Sequence, residues 1–469
     1  MSDYQLSRRT FLVGTGLAAA ALAGCGGSSG GGGGGTPKAG SSSGPAPTET
    51  FAAPASKLSG SLKILMWSHF VPRHDVWFDK FAKDWGKKVG VNVTVDHINT
   101  ADIPARIASE IQAGSGHDLI QHISAIPQYE PSVIDLANLN QEAAKRFGKL
   151  TDICTKSSYN PHTKKYYAYA PGWVPDPGDY RKSLWSTVSM ANGPTTWDEL
   201  LQGGTEIKKK KNVQMGIGMS QEIDSNMAGR AIMWSFGGAV QDANANVTLN
   251  SPETVAAVEY MTKLYKQTMT PEVFSWTAAS NNQGLVAGQL SYILNSISAY
   301  RSAQQQNPQV AEDVLFVKAL KGPKDAIAAS HVMYNWIVPK FSKSADNAQE
   351  FLLHYTANFP SATYYSELYD FPGYDNLVPQ LDGWLSNDPF GSRPADKLTV
   401  LKDSISWTTN LGHPGYANTA VGEVNATYII PNMYAQAARG EKSAQQAVAD
   451  ADKQVKAVFD KWRTKGLIG

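Results

Sequence analysis

From residue 62 onward the sequence alternates between short apolar strands and amphipathic helices, and this alternation limits the possible folds most strongly. Strands are predicted at 62–67, 91–95 and from Asp118, with helices at Trp77–Val89 and 103–111 between them. The second helix ends at a glycine, as helices often do. Strand–helix–strand–helix–strand order predicts an α/β fold with a doubly wound, parallel sheet.

The first residues carry signals for export. Arg8 and Arg9 precede an apolar stretch, 13–23, that is too short and too rich in Ala and Gly for a stable membrane span. Residues 1–25 are therefore predicted to be a twin-arginine export signal. The stretch ends in Leu-Ala-Gly-Cys at Cys25, which resembles the lipobox of bacterial lipoproteins and implies cleavage before Cys25 and lipidation of it. A plain signal peptide is the alternative.

Residues 26–60 are rich in Gly, Ser, Pro and Thr, including an unbroken glycine run. Such a segment cannot bury enough apolar area to fold, so a disordered tether is predicted. Its end-to-end distance would be roughly 30 to 35 Å. We expect it to hold a folded body at the outer face of the cytoplasmic membrane, attached through the lipid alone.

Composition indicates a globular body and disfavours a polyanionic partner. Of 469 residues, 42% are hydrophobic and 18% charged, which suffices for one large domain or two smaller ones. The net charge of +1 provides no field that would attract nucleic acid. Cys25 and Cys154 are the two cysteines, and Cys154 is predicted to be a small buried residue. The nine His lack metal-ligand spacing, so we expect no metal and no cofactor.

Five further segments follow one another in a characteristic order. They are YRKSLW at 180–185, GPTTWDEL at 193–200, GG with VTLNSPE at 237–253, GQLSY at 288–292 and GEKSA at 440–444. In this order they resemble extracellular solute-binding protein family 1, the sugar-binding group that includes the maltose-binding proteins. The resemblance runs from about residue 62 to the C-terminus.

The resemblance implies a two-lobed type II periplasmic-binding-protein fold, with doubly wound sheets joined by hinge strands. Residues 60–171 and 304–356 are expected to form the first lobe, and 172–303 and 357–469 the second. It further implies a monomeric receptor of an ABC importer. This receptor would capture a sugar or related polar solute between the lobes, deliver it to a membrane permease and catalyse no reaction.

Candidate ligand contacts follow from the chemistry of sugars and from the resemblance. Aromatic planes suit the faces of a sugar ring, and polar side chains suit its hydroxyls. Ligands of such sheets bind beyond the carboxyl ends of the strands, which places residues 67–70 and 121–124 at a site. The predicted ligand-binding residues are Trp67, His69, Gln121, His122, Trp173, Glu222, Asp224, Trp276, Asn295, Asn335, Trp336, Tyr374 and Tyr416.

An exported carbohydrate-active enzyme is the alternative function. Glu222, Asp224, Asp370 and Asp375 could supply two carboxylates that flank a glycosidic bond. The sequence contains no GxSxG elbow, no phosphate-binding glycine loop and no dinucleotide-binding fingerprint. The ordered segments favour the binding protein over the enzyme.

Overall fold

A computed structural model describes residues 45–469, and the predicted export signal, Cys25 and tether residues 26–44 lie outside this range. Within the described range, none of the helices has both the length and the apolar character needed to cross a membrane.

Strands and helices alternate along the chain. The strands are β1 (Ser61–Trp67), β2 (Asn92–Ile98), β3 (Leu119–His122), β4 (Tyr159–Asn160), β5 (Lys165–Tyr166), β6 (Gly172–Val174), β7 (Gly178–Arg181), β8 (Gln214–Gly216), β9 (Leu290–Leu294), β10 (Val314–Val317), β11 (Ala328–Ala329), β12 (Val332–Met333), β13 (Asn335–Ile337), β14 (Phe371–Pro372) and β15 (Thr408–Thr409). The α-helices are α1 (Pro72–Val89), α2 (Ile103–Ala113), α3 (Ala137–Phe147), α4 (Asp152–Lys156), α5 (Lys182–Ser186), α6 (Trp197–Lys211), α7 (Ile223–Phe236), α8 (Pro252–Thr268), α9 (Ser280–Val286), α10 (Ser298–Gln306), α11 (Pro308–Asp313), α12 (Ala345–Ala357), α13 (Phe359–Tyr365), α14 (Leu381–Ser386), α15 (Thr419–Ala426), α16 (Ile429–Ala438) and α17 (Ala444–Thr464). Short 3₁₀ helices span Pro127–Ser132, Pro271–Phe274, Lys397–Leu401 and Ser404–Ser406.

The first sheet has the strand order β13-β3-β1-β2. β1 runs parallel to β2 and β3, and β13 runs antiparallel to β3. Trp77, Phe81 and Trp85 of α1 are buried, as their spacing predicts, and Gly114 ends α2 in the left-handed conformation. The predicted strand–helix–strand–helix–strand unit is confirmed.

The second sheet has the order β10-β7-β9-β8, in which β7 runs antiparallel to both neighbours and β8 pairs parallel with β9. Two helices that flank this part of the chain begin at residues whose side chains cap them. Thr196 and Glu199 form a capping box at the start of α6, and the Ser251 hydroxyl accepts a hydrogen bond from the Thr254 amide at the start of α8.

A third sheet, of order β12-β6-β14, contains strands that connect the two larger sheets along the chain. The chain reaches β7 of the second sheet through β6, and it returns from β10 to β13 of the first sheet through β12. β10 lies within 304–356, the segment assigned by prediction to the first lobe, yet its residues pair with β7. The passage back to the first sheet therefore follows β10.

The last part of the predicted tether packs against the folded body. The Thr50 amide donates to Asn358 Oδ1 at 2.7 Å, and Asn358 Nδ2 donates to the Thr50 carbonyl at 3.0 Å. Trp77 Nε1 donates to Glu49 Oε1 at 2.7 Å, and Leu58 is buried. Glu49, Thr50 and Leu58 therefore contact the folded body, although the sequence predicted a disordered tether through residue 60.

Candidate ligand-binding site

A cavity of about 540 Å³ lies beyond the carboxyl ends of β1, β2 and β3. The wall next to the first sheet is formed by loops that directly follow these three strands and by the first 3₁₀ helix. The opposite wall comes from the start of α7, the segment before α9 and the end of α15. The lining residues include Phe70, Asn99, Asp102, His122, Ser124, Gln128, Tyr129, Gln221, Glu222, Asn226, Trp276, Asn425 and Tyr428.

Four half-buried aromatic side chains line this cavity: Phe70, Tyr129, Trp276 and Tyr428. Phe70 and Tyr129 come from the side of the first sheet, and Trp276 and Tyr428 come from the opposite wall. Polar side chains lie between them along the same lining. The cavity therefore combines flat apolar surfaces with hydrogen-bonding groups, as small-molecule sites commonly do.

Trp276 occupies its place because a glycine lies beneath its ring. A Cβ at Gly216, the last residue of β8, would lie 2.3 Å from Cη2 of Trp276. The Ser220 hydroxyl donates to the Trp276 carbonyl at 2.7 Å and holds the backbone. The ring therefore rests on strand backbone that only glycine leaves accessible.

Replacing Gly216 with alanine is expected to displace the Trp276 ring and to lower ligand affinity by about 5- to 10-fold. The measurement is isothermal titration calorimetry with the ligand found by the screen described below. Gly383→Ala is the matched control, since Gly383 lies in α14 with nothing within 4 Å of a Cβ. Equal affinity of both variants and the wild type would contradict this role of Gly216.

His122, at the end of β3, lines the cavity and is held by its own loop. Its Nδ1 lies 3.0 Å from both the amide nitrogen and the carbonyl oxygen of Ser124. Burial lowers the pKa of His122 to about 4, so the imidazole is neutral at physiological pH. This arrangement leaves Nε2 for a ligand hydroxyl, which either tautomer can bond.

The lowered pKa predicts a loss of stability in acid. The folded-state pKa lies below the unfolded value of about 6.5, so the unfolded state binds more protons between pH 4 and 6.5. The His122 contribution is therefore complete above pH 6.5 and falls by about 2 kcal/mol between pH 7 and 5. In urea unfolding, His122→Asn should lose about 2 kcal/mol less unfolding free energy than the wild type between pH 7 and 5. The same substitution at the exposed His162 should leave the loss unchanged, and equal losses in both variants would refute the argument.

Glu222 lines the cavity, but its carboxylate caps a helix. It accepts hydrogen bonds from the backbone amides of Asp224 and Ser225 at the start of α7, and burial raises its pKa. Asp224 is buried behind it and accepts from Asn281 Nδ2 at 2.8 Å. Burial, and then the neighbouring Glu222, raise the pKa of Asp224 well above its usual range.

Of the four carboxylates considered for an enzyme, Glu222 alone lines the cavity. Asp370 is buried against His69 and Tyr334, and Asp375 is exposed. The other carboxylate in the lining is Asp102, exposed just before α2. The predicted pairs are not brought together at the cavity.

Trp67 and His69 lie behind the cavity wall. The buried Trp67 ring stacks on His69 with centroids 4.6 Å apart and meets the Phe70 ring edge-on at 5.0 Å. His69 Nε2 lies 3.2 Å from Asp370 Oδ1. These two residues therefore support Phe70, which lines the cavity.

Four other predicted contacts lie in the core, away from the cavity. Gln121 and Trp336 are register partners in β3 and β13, with Asn335 beside them, and all three are almost fully buried. Trp336 packs against Phe78 and Tyr355, whereas Tyr374 packs against Phe147 and Tyr169. The rings of Trp336 and Tyr374 are therefore packed against other core residues and do not contact the cavity.

The remaining predicted contacts lie in three other places. Trp173 belongs to β6 and donates from Nε1 to the Pro372 carbonyl at 3.1 Å. Asn295 Nδ2 donates to Asn282 Oδ1, and its own Oδ1 accepts from the Ser296 amide. The half-buried Tyr416 meets Tyr159 edge-on. The structure brings His122, Glu222 and Trp276 together from the predicted set, with Phe70 and Ser124 from the strand-end segments.

Within residues 45–469, one group of side chains could hold a metal ion: His69, His74 and Asp370. All three are buried, and the two imidazole rings stack 4.3 Å apart. The group lies behind Trp67 and does not line the cavity. Sequence spacing did not reveal it, because Asp370 is distant along the chain.

Sequence reasoning missed Tyr129, Asn425 and Tyr428. Tyr129 follows Pro127 in a 3₁₀ helix, and Tyr428 lies between α15 and α16 with a left-handed backbone, φ 54°. The sequence offered one signal for Tyr428, which is its position in the short break between two apolar helices. Which residues face Tyr428 across the cavity depends on the tertiary fold.

Two α/β sheets are thus connected by crossover strands, and the cavity lies beyond the carboxyl ends of the first sheet's parallel strands, where ligands of such sheets bind. The family profile of bacterial extracellular solute-binding proteins matches residues 77–389, and the chain belongs to that family. This confirms the resemblance found in the sequence. A comparison with curated proteins yields no match.

Several solved structures are similar to this one. Maltose-bound MalE3 of T. maritima has 17% identity and a TM-score of 0.70, covering 85% of this chain and 100% of that one. A sugar transporter from Arthrobacter chlorophenolicus A6 with bound laminaribiose has 16% identity and a TM-score of 0.70, covering 85% and 99%. An ABC transporter solute-binding protein from Thermotoga lettingae TMO bound with alpha-D-tagatose has 15% identity and a TM-score of 0.70, covering 85% of this chain and 100% of that one. These similarities confirm the predicted two-lobed α/β fold.

Proposed function

We propose that this protein is the extracytoplasmic receptor of an ABC importer and that it binds a carbohydrate in the cavity. The observation that carries the proposal is the set of four half-buried aromatic rings, Phe70, Tyr129, Trp276 and Tyr428, among polar side chains. Sugar rings stack on such planes while their hydroxyls bond to the groups at the edge. Bound maltose, laminaribiose and tagatose in proteins of the same fold support this choice of ligand.

The volume of the cavity and its position support capture by closure. About 540 Å³ is within the usual range for a small-molecule site. One wall follows β1, β2 and β3 of the first sheet, and the other comes from α7, the segment before α9 and the end of α15. We place the first lobe mainly at 60–171 with the segment from β13 to residue 356, and a hinge motion about the crossover strands would enclose the ligand.

The export and anchoring steps of the proposal rest on the sequence. The twin arginine at 8–9 would direct export, and Cys25 would carry the lipid that holds the receptor at the membrane. A receptor kept there meets its permease without diffusing away. Release of the unaltered sugar to the permease would complete the cycle, and the protein would act as a monomer.

A ligand screen followed by product analysis tests this function. Thermal shifts are recorded with neutral sugars, sugar acids, sugar phosphates and polyols, since a ligand bound only by the folded state raises the melting temperature. Each hit is titrated calorimetrically, and the sugar is then recovered and chromatographed. Saturable binding with intact sugar supports the receptor. Absence of binding by every compound, or recovery of cleaved sugar, would refute it, and cleavage would favour the enzyme.

A further inference from the structure

Arg230 is a buried cation with one unoccupied edge. It lies in α7 and is 1% exposed. Its Nη1 donates to the carbonyl oxygen of Asn226 at 3.2 Å and to Asn226 Oδ1 at 2.8 Å. Its Nε and Nη2 atoms are buried and have no hydrogen-bond partner. Nε–H and Nη2–H lie in the guanidinium plane and point outward along the same edge, which is an edge that binds carboxylates bidentately.

The charge of Arg230 is also uncompensated. Across residues 45–469 no carboxylate forms an ion pair with it, and the neighbouring Tyr434 hydroxyl donates to the Gly229 carbonyl. The other fully buried arginine, Arg301, forms an ion pair with Asp388 at 2.7 Å. Burial lowers the pKa of Arg230 to about 9, so the side chain stays charged at neutral pH. An unpaired buried charge is costly, and proteins usually neutralise it.

Arg230 lines a recess of about 30 Å³ that adjoins the ligand cavity. The recess and the cavity share the lining residues Ile123, Ser124, Ala125, Ile223, Asn226 and Asn425. The Ser157 hydroxyl also lines the recess and is buried without a partner. This volume matches roughly one small group rather than a sugar ring. Arg230 and Ser157, whose Nε, Nη2 and Oγ atoms have no partner, thus line a space that shares its walls with the cavity.

We infer that the ligand carries a carboxylate, which enters this recess and accepts hydrogen bonds from Nε and Nη2 of Arg230. The inference rests on the proposed function and narrows it to acidic sugars such as uronates. The sugar ring remains against the aromatic side chains of the cavity. A phosphate ester would also present negatively charged oxygens to this edge, but a phosphate group is larger than a carboxylate and fits the small recess less well. The experiment separates the two.

Calorimetric titration of the full chain tests this with matched sets of probes. Each set consists of a neutral hexose, its uronate and its 6-phosphate, in the gluco, galacto and manno series, together with the corresponding disaccharides. In at least one series the uronate should bind about 10- to 100-fold more tightly than the neutral sugar. Neutral sugar binding as tightly as the uronate in every series, or tighter binding of the phosphate, would overturn the inference and leave the receptor function intact. No binding by any probe would overturn both.

Variants of Arg230 provide the second readout. Arg230→Gln should abolish the preference for the uronate and change affinity for the neutral sugar by less than about 3-fold. Without ligand its melting temperature should equal or exceed that of the wild type, because an unpaired charge has been removed. Arg301→Gln is the control and should lower the melting temperature, since Asp388 loses its ion-pair partner. An unchanged uronate preference in Arg230→Gln would overturn the inference. If that variant does not fold, the wild-type titration decides together with Arg230→Lys. The lysine variant should bind the uronate more weakly than the wild type does.

Discussion

Replacing Trp173 with alanine is expected to lower the free energy of unfolding by about 3–5 kcal/mol. Trp173 is 2% exposed, and its strand β6 lies between β12 and β14 in the crossover sheet. Its ring packs 5.7 Å from that of Phe371, and its Nε1 is bonded to the Pro372 carbonyl. The substitution leaves a large void and an unsatisfied carbonyl. Ligand affinity of the folded variant should change by less than about 3-fold, because Trp173 does not line the cavity.

Urea unfolding and calorimetric titration at a temperature well below the transition separate the two effects. Trp173→Phe is the matched variant, since it retains much of the ring packing and loses the Nε1 hydrogen bond, and it should cost less than the alanine variant, about 1–2 kcal/mol. Strong loss of affinity with unaltered stability would instead support the ligand contact predicted from the sequence. The position of Trp173 in a three-stranded sheet favours the packing role.

The first sheet was predictable because its periodicities are local. The apolar run of β1 and the four-residue spacing of Trp77, Phe81 and Trp85 each indicate one element and its buried face. Pairing between β7 and β10 was not predictable in this way. It joins residues far apart in the chain, and β10 is only four residues long. A short apolar strand fits either sheet by composition, so tertiary packing decides.

The candidate site was predictable where it follows strand ends. Phe70, His122 and Ser124 lie at the cavity because parallel strands present their carboxyl ends at one edge. Trp67 and Trp336 lie in the core and outside the lining of the cavity. A tryptophan near a strand end suits either a core or a ligand, so the sequence did not distinguish the two. Tyr428 was missed because its position depends on the packing of α15 against the first 3₁₀ helix. No local pattern encodes that contact.

Replacing Trp276 with alanine is expected to lower ligand affinity by about 2–3 kcal/mol, or roughly 30- to 150-fold. Its half-buried ring is the largest aromatic surface in the cavity, and Gly216 and Ser220 hold it there. Loss of the ring removes one stacking face and admits water to the polar groups beside it. The measurement is calorimetric titration with the uronate or neutral sugar that binds best.

Trp384→Ala is the matched control for Trp276→Ala, since Trp384 is also half-buried but lies in α14, outside this cavity. It should bind the sugar as the wild type does, although both variants lose a tryptophan. Trp276→Phe should recover part of the affinity, because a smaller ring can still stack on a sugar face. If Trp276→Ala and Trp384→Ala bound equally well, the sugar would not contact Trp276, and the aromatic lining would no longer support a carbohydrate ligand.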